Sequence, residues 1–179
     1  MKAFEPTIVS GVDQLPAASD AAIAFIDAWK DARNGRLVPR KRDFDPLNVP
    51  ALLPSIWIYE HDPEADVFRC RLAGERVNDA WGGSIARKTS LEILGAADNQ
   101  AVVAVWRSVL GTPLIHYGNE ERLSGTKLYA AERVVMPLEN DAGEPAFILG
   151  ISLYKLDPRT ADVPPVLLES SFNIPCRDL

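Results

Sequence analysis

Few side chains in this sequence have the chemistry to hold or transform a ligand. There are two histidines, His61 and His116, and two cysteines, Cys70 and Cys176. The carboxylates that could serve as acids or bases are Asp79, Glu120, Glu121 and Glu132. Glu132, flanked by Ala131 and Arg133, falls in a predicted strand, where its carboxylate could face helices or solvent. Buried against Tyr129 or His116, it would be able to abstract a proton from a small substrate. Solvated strand charges account for the same residues. His116 also lies in a predicted strand; it is either a hydrogen-bonded structural residue or, facing a cavity, a conceivable haem ligand. His61, in the turn "EHDPEAD", is expected to be exposed. No His/Cys/Asp group has metal-ligand spacing, so no metal is expected. No set of catalytic residues assembles either, and the reading is of a protein that is not an enzyme.

The glycines pose a second question. "RCRLAGERVNDAWGGS", residues 69 to 84, runs from an alternating strand into Gly74 and then to Gly82-Gly83. A phosphate-cradling loop needs GxxxxGK[ST] or G-x-G-x-x-G between a strand and a helix. Neither is present, so the stretch reads as a strand passing into short helices.

The elements that would position these groups follow from periodicity. Ser19 is a candidate N-cap for "DAAIAFIDAWKDARNG", with Asp20 in the first turn and Asn34-Gly35 as the left-handed stop. Ala22, Phe25, Ile26 and Trp29 share one face of that helix, which must pack on its own domain or on a partner copy. "RLVPRKRDFDPLNVPALLPS" carries four prolines in twenty residues and is barred from long helix. "IWIYEHD" and "VFRCRLA" form a predicted antiparallel hairpin, with Phe68, Cys70 and Leu72 alternating onto its inner face. "TSLEIL" gives a short capped turn, "DNQAVVAVWRSVLG" a longer helix, and "TPLIHYGNEERL", "KLYAAERVVMPL" and "PAFILGISLYKL" three strands. Strands at both ends of a helical middle predict an α+β fold.

With 179 residues and a net charge of −6, the chain suits one core and does not suit non-specific nucleic-acid binding. Arg40-Lys41-Arg42, followed by Asp43 and Asp45, reads as a solvated loop. No stretch approaches a signal peptide or a membrane span, and a cytoplasmic location is expected. The expected division is a leader over 1–18, a domain over 19–155 and a proline-containing tail over 156–179, with Val166-Leu167-Leu168 and Phe172-Ile174 as segments able to dock back.

"LVPRKRDFDPLNVPALLPSIWIYE", "FRCRLAGERVNDAWGGSIARKTSLEIL" and "ERVVMPLENDAGEPAFILGISLY" together resemble the single-domain PAS proteins common in alphaproteobacteria, over roughly residues 20 to 155. The resemblance implies a five-stranded antiparallel sheet with helices packed on one face, plus an N-terminal amphipathic helix of the kind through which PAS domains dimerise. It implies a sensory or docking module in signal transduction, a homodimer, and a protein or small apolar ligand as partner. Phe25, Ile26 and Trp29 would then form the dimer or partner helix. Trp57 (or, with the other facing of its strand, Tyr59), Phe68, Cys70, Leu72, Trp81, Ile85, Trp106 and His116 would line a ligand pocket, unless they simply fill the core. The residues name no cofactor. In flavin photosensing PAS proteins the reactive cysteine sits in a helical motif with Asn, Arg and Gln, whereas Cys70 lies in a strand between two arginines, so that chemistry is not implied. The alternative is a small α+β enzyme acting on an apolar substrate in a closed cavity.

Overall fold

A computed structural model of the chain describes residues 5–16, 18–124, 127–157 and 169–179. In chain order its elements are β1 (Thr7–Ile8), α1 (Asp20–Asp31), β2 (Ile56–Asp62), β3 (Val67–Ala73), α2 (Glu75–Ala80), α3 (Ser90–Gly111), β4 (Leu114–Ser124), β5 (Lys127–Glu139), β6 (Pro145–Asp157) and β7 (Glu169–Pro175). The proline-rich stretch after α1 forms short 3₁₀ turns over Lys41–Asp43, Pro46–Asn48 and Pro50–Ser55.

The strands join one sheet in the order β1-β7-β4-β5-β6-β2-β3. All pairs are antiparallel except β1 with β7. The sheet has seven strands where five were expected, and the two extra ones come from the segments read as leader and tail. Thr7 pairs with Phe172, and Phe172 pairs with Tyr117 of β4, so both segments extend the same edge. Two residues of β1 are too few to carry a period. In β7 the alternation Phe172, Asn173, Ile174 is short, but it sends Phe172 and Ile174 into the core while Asn173 faces the other way. Val166-Leu167-Leu168 lie outside the described residues.

Helices cover both faces of the sheet. On one face lies α1. Ser19 Oγ accepts the Ala22 N–H at 3.2 Å, as an N-cap should, and the chain leaves the helix through Asn34 and Gly35 at φ of 48° and 80°. Ala22, Phe25, Ile26 and Trp29 have no exposed surface. They pack with Ile56, Ile115, Tyr117, Val134, Met136, Leu149 and Ile151 of the chain's own sheet. Trp29 Nε1 donates to the Pro137 carbonyl at 2.8 Å. Of the two expectations for this apolar stripe, its own domain or a partner copy, the structure shows the first: the three side chains assigned to a dimer or partner helix, Phe25, Ile26 and Trp29, are buried within the chain. Burial of Phe25, Ile26 and Trp29 contributes about 1.5–3 kcal/mol each, which a domain of this size uses for its own core.

On the opposite face lie α2 and α3. Thr89 and Glu92 make a reciprocal capping box at the start of α3: Glu92 N donates to Thr89 Oγ1 at 3.3 Å and Thr89 N to Glu92 Oε2 at 2.7 Å. Gly95, at φ 75°, breaks the helix one turn later, which separates the short "TSLEIL" turn from the longer segment. Val103, Trp106, Val109 and Leu110 of that segment are buried, while Val102 and Val105 are partly buried. Gly74 caps α2 for a reason of space: a Cβ there would stand 2.4 Å from the Leu53 carbonyl oxygen and 2.3 Å from that of Pro54. The glycine permits β3 to pass under the Pro50–Ser55 turn.

Candidate functional site

Between α2/α3 and the sheet lies a cleft of about 340 Å³. Its floor is set by strand register. His116 of β4, Val135 of β5, Gly150 of β6 and Trp57 of β2 are successive cross-strand partners and share this face. The next row along is Gly118, Arg133 and Ser152, and beyond it Glu120 and Tyr154 flank Ala131. Val77, Ile85, Val102 and Val105 come from the helical side. Asp98 also lines the cleft, from an exposed position on α3.

The aromatic end is built around Gly150. Its ideal Cβ would lie 2.1 Å from the Trp57 ring, so only glycine lets that indole lie across β6. Trp57 Nε1 donates to Ser152 Oγ at 2.9 Å, which fixes the ring. Tyr59 and Trp106 pack at a centroid separation of 4.6 Å, and Trp57 lies 5.5 Å from Trp106. Phe68 meets Trp106 edge-on at 5.2 Å. Such tilted and edge contacts suit the ring quadrupoles. Burial raises the Tyr59 pKa, with smaller contributions from Cys70 and Tyr154, so the phenol stays protonated.

The polar end is made by β4, β5 and β6. The Arg133 guanidinium donates to the Glu120 carboxylate and hydrogen-bonds Tyr154. Burial opposes its charge, but Glu120 and Tyr154 outweigh that penalty and its pKa is raised. His116 Nδ1 lies 2.7 Å from Asn173 Oδ1 on β7. Burial lowers the His116 pKa, and the Asn173 contact only partly offsets this, so the imidazole is neutral near pH 7.

Of the residues singled out from sequence, Trp57, Trp81, Ile85, Trp106 and His116 do line the cleft. Trp81 is 44% exposed and stands at its rim. Phe68 and Cys70 are fully buried in the aromatic cluster beneath and do not reach the space itself. Leu72 is on the wrong face. The register of β2 with β3 skips Arg71, pairing Ile58 with Leu72 but Tyr59 with Cys70, and this bulge turns Leu72 away from Cys70, leaving it 41% exposed. His61, expected to be exposed, is half-buried and stacks on Phe68 at 4.6 Å. Tyr59, the alternative to Trp57 on the same strand, lines the cleft as well, and Glu120 was assigned from sequence only as a candidate carboxylate; Val135, Ser152, Arg133 and Tyr154 were not assigned to the site from sequence alone. Counting every second residue from His116 would have placed Gly118 and Glu120 beside it, but Arg133 and Tyr154 needed the register.

Glu132 and His116, one of the acid–base pairs entertained for an enzyme, do not come together. Glu132 is buried on the α1 face, the opposite side of the sheet from His116. Its Oε1 accepts the Ser19 N–H at 2.8 Å and the Tyr117 hydroxyl at 3.0 Å, so it anchors the N-terminus of α1, where a carboxylate also meets the favourable end of the helix dipole. Asn119 Nδ2 donates to the same Tyr117 hydroxyl at 2.8 Å. Burial is the largest cause of the rise of the Tyr117 phenol to about 12. Asp79 is exposed on α2, and the side chains of Glu121 and Tyr129 lie outside the described residues. Burial holds Cys70 at about 11 and Cys176 at about 12, so both are inert thiols. Among the described residues no group of three His, Cys, Asp or Glu side chains could hold a metal, and no helix is long and apolar enough to cross a membrane.

No curated protein matches the chain. A family model described as a PAS domain matches residues 17–153, a span that takes in α1, the hairpin, α2, α3 and most of β4 to β6. With that match covering well over half of its length, and an antiparallel sheet bearing a helix-roofed cleft beneath it, the chain belongs to the PAS-domain family.

Proposed function

We propose that this PAS module senses a small, largely apolar ligand in the cleft between α3 and the sheet, and that occupancy is its signalling input. The observation that carries the reading is the cleft itself. Its volume of about 340 Å³ falls at the lower end of ligand pockets, and its aromatic wall with a few fixed polar groups has their usual make-up. Trp57, Ile85, Trp106 and His116 line the space, Trp81 forms its rim, and Phe68 and Cys70 support the aromatic wall from behind. Such a ligand acts as a signal only if it binds one conformation of the protein better than another. The kinked entry to α3 at Gly95 is the part of the roof whose backbone departs from helix, and the roof is where such a difference would be expressed.

Gently purified protein should carry its ligand in a solvent extract read by mass spectrometry. Val105→Trp, which fills the space from α3, should lose that compound while retaining its fold by circular dichroism. A compound present equally in both proteins, or in neither, would count against a ligand-sensing cleft.

A further inference from the structure

Three features of the cleft, taken together with the ligand-sensing reading on which this rests, specify the kind of molecule it accepts. The first is the distance between its two walls. The Trp57 indole lies over Gly150 on β6 and His116 rises from β4, with Val135 of β5 between them. Two strand spacings, about 9.5 Å between backbones, separate the strands beneath those walls, and the bulk of the two side chains narrows the space above Val135 to that of a flat ring. A ring resting on Val135 would meet aromatic surface on one side and an imidazole edge on the other.

The second feature is charge. Arg133 is the cation of the lining, and it is already engaged by the Glu120 carboxylate and Tyr154. Asp98 adds a negative charge at the exposed end. A carboxylate or phosphate entering here would lose its hydration and find, among the described residues, no unengaged cation in return.

The third feature is His116. Asn173 Oδ1 accepts from Nδ1, which leaves the lone pair on Nε2. Nε2 points along the cleft face toward Gly118, standing 3.7 Å from where a Cβ would be, and among the described residues it has no partner. A half-buried acceptor without a donor is what a ligand N–H or O–H would satisfy.

We infer that the cleft takes a small, uncharged, planar ring system that packs between the Trp57 indole and His116 and donates a hydrogen bond from an N–H or O–H to His116 Nε2.

Isothermal titration calorimetry of the full chain with four probes tests this: indole, 1-methylindole, indole-3-acetate and decanoate. Indole should bind about 5–10-fold more tightly than 1-methylindole, the worth of one part-buried hydrogen bond. His116→Phe should bring the two to equal affinity, and Val105→Trp should abolish binding of both. The comparison of indole with its N-methyl form is made on the unaltered protein, so it stands even if His116→Phe fails to fold. Equal binding of these two probes to the unaltered protein would overturn the donor assignment. Tighter binding of indole-3-acetate would overturn the uncharged assignment. Decanoate binding that Val105→Trp removes, with no indole binding, would overturn the ligand class while leaving a ligand-sensing cleft in place. No heat from any probe would count against both.

Discussion

The two faces of the sheet are built to different standards of packing. Of the twelve largest fully buried side chains, all but Phe68 and Ile148 lie on the α1 face. On that face the buried carboxylate and indole are both paired: Glu132 is held by Ser19 and Tyr117, and Trp29 by Pro137. The α3 face keeps open space between its aromatic cluster and its polar row, and His116 Nε2 has no partner among the described residues. Close packing is what a stable core requires. A face that departs from it while its counterpart does not has been left room, and the stability of the domain rests on the other side.

That contrast can be broken or sharpened by substitution. The largest effect is expected at Trp29→Ala, which should cost about 3–5 kcal/mol because it empties a filled core and strips the Pro137 carbonyl of its donor. Urea unfolding followed by circular dichroism measures it, and a loss under 1 kcal/mol would mean the α1 face is not the structural one. Glu132→Leu should cost about 2–3 kcal/mol by leaving the Ser19 amide and Tyr117 hydroxyl unsatisfied. Loss of Ser19 and Ala22 amide protection in hydrogen exchange would locate the damage at the start of α1.

On the cleft side the effects shrink. Val105→Ala should cost about 1 kcal/mol or less, since the side chain already borders open space and its removal creates little new cavity. A loss as large as that of Trp29→Ala would show the two faces to be equally packed. Smallest is the effect of acid on His116. Its folded pKa lies below the ordinary 6.5, so the unfolded chain takes up the proton first as pH falls. Its contribution is neutral above about 6.5 and increasingly destabilising from there down to the folded pKa. Thermal melts between pH 7.5 and 5 should show a slope that His116→Phe flattens.

What could be read beforehand was whatever is local. The cap at Ser19, the stripe of Phe25, Ile26 and Trp29, the stop at Asn34-Gly35 and the Phe68–Cys70 alternation are each settled within a few residues. What could not be read depends on partners distant in the chain. The bulge at Arg71 has no sequence signal, and it alone moves Leu72 off the face it seemed to share. The strand at Thr7–Ile8 exists because β7 lies beside it. Glu132 looked like a free carboxylate because its two donors lie 113 and 15 residues away. In the cleft, hydrophobic character pointed to Trp57, Ile85 and Trp106, whereas Arg133, Ser152 and Tyr154 come together only through the pairing of β4, β5 and β6.

The hydrogen bond from His116 to Asn173 carries one more implication. It means that the last strand, joined by the first, helps to hold the imidazole whose free edge looks into the cleft. Thermodynamic reciprocity then requires that any guest gaining affinity from that held imidazole return the same free energy to the seating of the chain's final segment. Amide exchange across residues 169–175 is thus a remote gauge of whether the cleft is filled, legible without labelling a single residue inside it.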